Sequence, residues 1–270
     1  MITMSDQEFK LLAEYIYDYC GINLSKKKTL VETRLFGVLL EKGFKDYSSY
    51  YKFIINDRSG EAVSAVIDRV STNHTFFMRE IQHFKYFRDQ ILPQVKTTVK
   101  NKDLRIWSAG CSSGEEPYTL AMIIDDYFGK EKILWDTSIL ATDISSKALR
   151  KAQEGVYSDE EIAALPAHWK KSYFRCLSPE RYMVKNEIKK EVIFRKYNLM
   201  EKALPFKKKF QVIFCRNVMI YFDNETKREL INRFFNITEH GGYLFIGQSE
   251  SLNRDETNYQ YIMPAIYRKV

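Results

Sequence analysis

From residue 104 onward, short β-rich runs alternate with helical stretches. The runs cover 104–109, 138–142, 192–197, 210–215 and 242–247, and the helical stretches between them cover 116–128, 145–153 and 224–238. Alternation of this kind admits few solutions. It predicts a mostly parallel sheet with helices on both faces, an α/β Rossmann-like architecture. In such sheets ligands bind beyond the carboxyl ends of the strands. The residues that follow each run are therefore the ones to read for chemistry.

The first hundred residues carry a different period. Phe9, Leu12, Ala13 and Ile16 fall on one face of a helix over 7–20, with Ser5 as a cap and Gly21 as a stop. Ser25 can cap a second helix ending at Lys42, before Gly43, with Val31, Leu35, Val38 and Leu39 as its buried face. Lys27 and Arg34 lie on an adjacent stripe, two turns apart. Further helices are expected over 47–55 and 61–70. The expected division is a helical domain over 1–80, a linker helix over 81–102 and a sheet domain over 103–270. Three short runs, 173–177, 181–185 and 188–194, interrupt the alternation. They predict a small antiparallel β insertion at about 172–191.

Several classes of protein are excluded or disfavoured. No run of 18 apolar residues is present to span a membrane. Residues 1–10 include Asp6 and Glu8 and no apolar core, so no secretory signal is expected. Cys20, Cys111, Cys176 and Cys215 are scattered, which favours reduced thiols in a cytoplasmic setting over a disulfide framework. The four histidines show no metal-ligand spacing, and no metal is expected. The net charge of +7 implies an anionic partner without naming it. Residues 1–102 hold 16 Lys and Arg against 12 Asp and Glu, and residues 185–209 hold nine against three. The surplus therefore sits in two places.

Four segments could carry chemistry. The first is Ile106-Trp107-Ser108-Ala109-Gly110-Cys111-Ser112-Ser113-Gly114-Glu115-Glu116-Pro117-Tyr118, a strand, a loop of small residues and a helix start. Small residues let backbone approach a ligand, and the new helix offers free N–H groups. The loop lacks the Gly-Lys-Ser/Thr ending of a phosphate loop. Glu115 and Glu116 would repel a pyrophosphate and welcome an ammonium or sulfonium. The second is Asp143, closing the second strand, where an acid commonly accepts the hydroxyls of a ribose; a helix N-cap would explain it equally well. Together these two segments suit a nucleoside with a cationic tail, and S-adenosylmethionine has those parts. The third comprises Arg216 and Asn217 after the fourth strand, with Asn198 and Leu199 after the third. The fourth is 71–80, where Asn73, Thr75 and Arg79 interleave with Phe76, Phe77 and Met78. A cap followed by core aromatics explains the two phenylalanines, but not the three polar residues together.

Taken in order, Asn73-x-Thr75-x3-Arg79, Ala-Gly-Cys-Ser-Ser-Gly-Glu-Glu-Pro-Tyr, Ala-Thr-Asp-Ile and Cys-Arg-Asn-Val-Met-Ile-Tyr-Phe make the chain resemble CheR-type chemotaxis receptor methyltransferases over nearly its whole length. The resemblance implies an S-adenosylmethionine-dependent protein-glutamate O-methyltransferase. Such an enzyme forms methyl esters on the cytoplasmic helical bundle of chemoreceptors, with S-adenosylhomocysteine as the second product. It places the cofactor residues at Asn73, Thr75, Arg79, Glu116 or Glu115, Asp143, Asn198, Leu199, Arg216 and Asn217, and the active-site arginine and tyrosine at Arg79 and Tyr221. Two departures stand out. Phe76-Phe77-Met78 replaces the family's phenylalanine pair directly before the arginine. In addition, no glycine lies between Gly155 and Gly241, where members that hold a receptor C-terminal peptide often have one in the β insertion.

The implied chemistry needs no general base, because a glutamate side chain with a pKa of about 4.3 is already ionised at neutral pH. Arg79 is expected to orient the carboxylate, Tyr221 to shape the transfer site, and the Lys27–Arg34 stripe to dock on an acidic receptor surface. A cytoplasmic monomer with no nucleic-acid partner and no membrane insertion is expected. The competing readings are a nucleic-acid methyltransferase and a non-catalytic cofactor-binding scaffold. The first lacks the Asn-Pro-Pro-aromatic type of motif, and the second does not need Arg79 and Tyr221.

Overall fold

A computed structural model describes residues 2–71, 74–202, 204–253 and 255–270. Asn73 falls outside them. Four helices come first: α1 (Asp6–Cys20), α2 (Lys28–Lys42), α3 (Tyr47–Asn56) and α4 (Glu61–Val70). Ser5 caps α1 in a reciprocal box with Glu8, and Gly21 closes it in a left-handed turn. Ser25 does not cap α2. Its N–H and hydroxyl are both held by Asn23 Oδ1, and the helix opens at Lys27 with no side-chain cap. Leu12, Ile16, Val31, Leu35, Leu39, Val66 and Ile67 meet in one buried cluster. That is the stripe the helical period predicts.

The expected linker helix is not a free-standing connector. It runs as α5 (Ile81–Tyr86), a π turn (Phe87–Ile91) and α6 (Leu92–Thr98). Phe84, Phe87, Ile91, Leu92 and Val95 are buried in the core of the sheet that follows.

The remaining elements, in chain order, are β1 (Ile106–Ala109), α7 (Glu115–Phe128), β2 (Ile139–Asp143), α8 (Ser146–Glu154), β3 (Val156–Ser158), α9 (Ala167–Tyr173), β4 (Phe174–Ser178), β5 (Arg181–Val184), α10 (Asn186–Lys189), β6 (Val192–Lys196), β7 (Phe210–Cys215), α11 (Asn224–Ile237), β8 (Thr238–Ile246), β9 (Gln260–Met263) and β10 (Ile266–Arg268). The main sheet has the order β6-β2-β1-β7-β8-β10-β9. The first five strands run parallel. β10 returns antiparallel to β8, β9 pairs antiparallel with β10, and the two lengthen an edge that the alternation alone does not announce. Side chains alternate along each strand, as the pleat requires. Ile106, Val212, Phe214 and Phe245 join the core beneath α5–α7, and Trp107, Ile213, Leu244 and Ile246 join the core with Leu230 and Phe234 of α11.

The β insertion exists, but with different strands. A separate sheet has the order β3-β5-β4. Its third strand is Val156–Ser158 rather than the 188–194 run. That run divides between α10, where Ile188 is buried, and edge strand β6. Burying Ile188 on a single helical turn while Val192 and Phe194 pair along β2 uses both apolar groups, which a third insertion strand would not.

The helical part lies across the carboxyl ends of the parallel strands. Asn23 N–H donates to the Tyr221 carbonyl at 2.9 Å, Asn198 Nδ2 to the Tyr19 carbonyl at 2.6 Å, and Ser145 Oγ to Asp68 at 2.6 Å. Lys196 Nζ reaches Ser64 Oγ at 2.9 Å, and Tyr17 hydrogen-bonds Asp223.

Candidate active site

A cleft of about 1120 Å³, counting its open mouth, lies between the helical part and the strand ends. Cys20, Ile22, Leu24, Lys27 and Val70 line one wall. Gly110, Ser112, Glu116, Asp143, Asn198, Arg216, Asn217 and Tyr221 line the other. Its walls are mostly apolar and carry a few convergent charges, the ordinary form of a small-molecule site.

The floor is built by the loop after β1. The Gly110 and Cys111 N–H groups both donate to the Thr142 carbonyl, at 2.8 and 2.9 Å, which curls the loop over the end of β2. Gly110 has φ of 87°, and a Cβ there would stand 2.3 Å from Val218 Cγ2. Only glycine fits both demands. Asp143 then takes one backbone N–H on each oxygen, from Ser112 at 2.8 Å and from Ser145 at 2.9 Å. The α8 N-cap is Ser145, so Asp143 is not the cap. Burial pushes the Asp143 carboxyl above its ordinary range, against the pull of these N–H donors.

The two helix-start acids separate. Glu115 is only 2% exposed and takes the Ser113 hydroxyl at 2.8 and 2.9 Å, away from the cleft walls. Glu116 lines the cleft, accepting Ser108 Oγ at 2.7 Å and Arg216 Nη1 at 3.1 Å. Of the two alternatives, Glu116 or Glu115, it is Glu116 that lines the cleft. Burial raises its carboxyl, and Arg216 and Ser108 offset part of that rise.

Arg216 is the hub of the site. Its side chain is 3% exposed and its guanidinium lies 5.1 Å from the Phe84 ring centroid. Nη1 goes to Glu116, Nε and Nη2 go to Glu80 Oε2 at 3.3 and 3.1 Å, and Nη2 also meets the Arg79 carbonyl. Asn217 follows with φ of 58°, a left-handed turn that asparagine tolerates. Its Nδ2 donates to Glu80 Oε1 at 3.2 Å. Two carboxylates around one guanidinium leave a net negative charge, and Asp143 adds to it. That local surplus favours a cationic guest beside Glu116 and Asp143, while Lys27 and Arg79 bring positive charge to the same cleft.

Arg79, Thr75 and Tyr221 also line the cleft. Arg79 Nη1 donates to the His74 carbonyl at 2.6 Å. Tyr221 sits on a 3-10 turn (Met219–Tyr221) under the Lys27 ammonium, 5.2 Å from its ring centroid. Asn198 holds Met200 N–H as well as Tyr19, so its amide joins the two parts of the chain beside the cleft, with Leu199 buried next to it. Arg34 is elsewhere. Its Nη1 reaches the carbonyls of Arg69, Val70 and Ser71 at 3.0–3.2 Å, capping the C-terminus of α4. The expected Lys27–Arg34 stripe is thus divided between a cleft residue and a helix cap.

Two residues that sequence reasoning did not single out belong to this region. Glu80 bridges the 74–80 segment to the loops after β7 and β8. Glu250, half-buried, accepts the backbone N–H groups of Gly247, Asn217 and Ile220 at 2.6, 3.0 and 3.1 Å. Among the described residues no cluster suited to a metal ion occurs.

Comparison with known proteins agrees with this geometry. Residues 7–71 match the family model described as the CheR methyltransferase all-alpha domain, and residues 73–267 match the CheR methyltransferase SAM binding domain. A chemotaxis protein methyltransferase of Borreliella burgdorferi is 44% identical, covering 99% of this chain and 96% of that protein. Chemotaxis protein methyltransferase 1 of Pseudomonas aeruginosa is 35% identical over 97% and 96% of the two chains. The chemotaxis protein methyltransferase of Escherichia coli is 32% identical over 98% and 92%. With helical part, parallel sheet and motif-bearing cleft all accounted for along its length, the chain belongs to the CheR methyltransferase family.

Proposed function

We propose that the chain transfers a methyl group from S-adenosylmethionine to glutamate side chains on the cytoplasmic helical bundle of a chemoreceptor, leaving methyl esters. The observation that carries the reading is the cleft itself. It pairs an acidic floor, Glu116 and Asp143, with the basic residues Lys27 and Arg79, which also line it. The floor fits a nucleoside with a cationic tail, and Glu116 and Asp143 would hold the ammonium and the ribose. The basic residues fit an incoming carboxylate. When bound, the donor supplies an electrophilic methyl on a sulfonium.

The protein's own part is placement. The substrate carboxylate is already ionised, so no group needs to remove a proton. Arg79 aligns it by charge-assisted hydrogen bonding, and Tyr221 closes the cavity around the transfer position. Alignment of this kind can supply about 7–11 kcal/mol in favourable cases. Lys27 attracts the acidic receptor surface and stands over Tyr221. The enzyme works as a monomer in the cytoplasm. A helical domain over 1–80, followed by the 81–102 helix and a donor-binding part over 103–270, is the division this reading uses. The separate apolar cluster of α1–α4 supports it.

The test offers labelled methyl donor with either a receptor cytoplasmic fragment or RNA. Label on the fragment is expected. Label on RNA, with none on the fragment, overturns the reading.

A further inference from the structure

We propose that Glu80 is the positioning residue that sets Arg79 for methyl transfer, an inference that rests on Arg79 anchoring the substrate carboxylate. Arg79 is flanked by Met78 with φ of 63° and Glu80 with φ of 57°. Left-handed backbone at two side-chain-bearing residues on either side of one position persists only where the surroundings hold it. The Arg79 side chain does not supply that hold. Among the described residues its one hydrogen bond returns to its own segment, at the His74 carbonyl.

Glu80 does supply it. One oxygen accepts Arg216 Nε and Nη2, and the other accepts Asn217 Nδ2 at 3.2 Å and the Gln248 N–H at 3.3 Å. The carboxylate therefore ties the end of the 74–80 segment to the ends of two core strands. The same Nη2 donates to the Arg79 carbonyl, so the guanidinium that holds the Glu80 carboxylate also holds the arginine's backbone. Burial opposes charge on Glu80. Arg216, the Gln248 N–H and Asn217 outweigh it and keep the carboxyl below its ordinary range. Glu116, on the donor side of the cleft, shares Arg216 with Glu80. Donor-side and substrate-side residues are thus referred to one rigid guanidinium.

Glu80→Gln tests this in the full chain. The amide keeps the size but turns N–H groups toward donors that already point inward. Turnover on a receptor fragment is expected to fall about 10- to 100-fold, as small displacements of an aligning group do. S-adenosylhomocysteine affinity by calorimetry should stay within about threefold, because Glu116 keeps Arg216 and Ser108. In an Arg79→Lys background the same change should cost about threefold or less, because the residue it positions is already compromised. An equal loss in both backgrounds, a loss confined to donor affinity, or unchanged turnover overturns the proposal. Unchanged turnover in Arg79→Lys alone would instead remove the premise about Arg79. If Glu80→Gln does not fold, Glu80→Asp keeps the charge and withdraws it by one methylene. The same two-background comparison then decides, with the same outcomes.

Discussion

The Lys27 ammonium stands 5.2 Å from the centroid of the Tyr221 ring, joining the first turn of the second helix to the loop that carries the transfer site. Arg34, two turns on, instead donates to the carbonyls of Arg69, Val70 and Ser71 and caps α4. The two basic residues should therefore fail in different ways. Lys27→Glu is expected to raise KM for a receptor fragment, most strongly at low salt, with the melting temperature unchanged. Arg34→Glu is expected to cost about 1 kcal/mol of stability by releasing the part-buried carbonyls at the end of α4. Parallel measurement of KM and thermal midpoints on both variants checks this. A shared phenotype would contradict it.

The adjacent glutamates make a second contrast. Glu116→Gln removes the cleft-lining charge and should weaken S-adenosylhomocysteine binding by about tenfold or more, the scale of one charged hydrogen bond. Glu115→Gln should leave that affinity near wild type, since its carboxylate holds Ser113. Isothermal titration of the two proteins reads the difference. Because burial raises the carboxyls of Glu116 and Asp143, affinity should also decline on acidification sooner than ordinary carboxylates would allow.

His83 gives a prediction about stability. It is 1% exposed, and burial, with the nearby Arg216 adding to it, lowers its pKa to about 4. Among the described residues its ring nitrogens have no hydrogen-bond partner, although Nδ1 lies 3.3 Å from Glu80 Oε2. An unfolded chain binds a proton on this histidine near pH 6.5, whereas the folded chain does not until about pH 4. Stability is then full well above pH 6.5 and declines as pH falls toward 4. Urea unfolding across that range should show the decline in wild type and a smaller one in His83→Phe, which can keep the ring contact with Phe245.

The parts legible in the sequence are those set by local pattern. Leu12, Ile16, Leu35 and Leu39 announce their helices through a 3.6-residue period, and strand runs ending in Gly110, Asp143 and Arg216 mark the strand ends where the cleft lies. Partnership across long separations was not legible. Nothing near Glu80 in sequence says that its carboxylate meets residues 216, 217 and 248, and nothing near Glu250 says that it clamps the loop bearing Tyr221. Val156–Ser158 is too short to declare itself a strand until β5 lies beside it. The two basic residues looked alike on a helical wheel because a wheel does not show that Arg34 has the end of α4 within reach.

The central claim is that a carboxylate oxygen receives the methyl group, and the linkage formed tests it most directly. A receptor cytoplasmic fragment labelled by this protein from a radiolabelled methyl donor is treated with mild base, and the volatile label is collected. The account predicts that the label leaves as methanol and that peptide mapping before treatment places it on glutamates. Label that survives base on nitrogen, or that resides on any other residue type, would contradict the account.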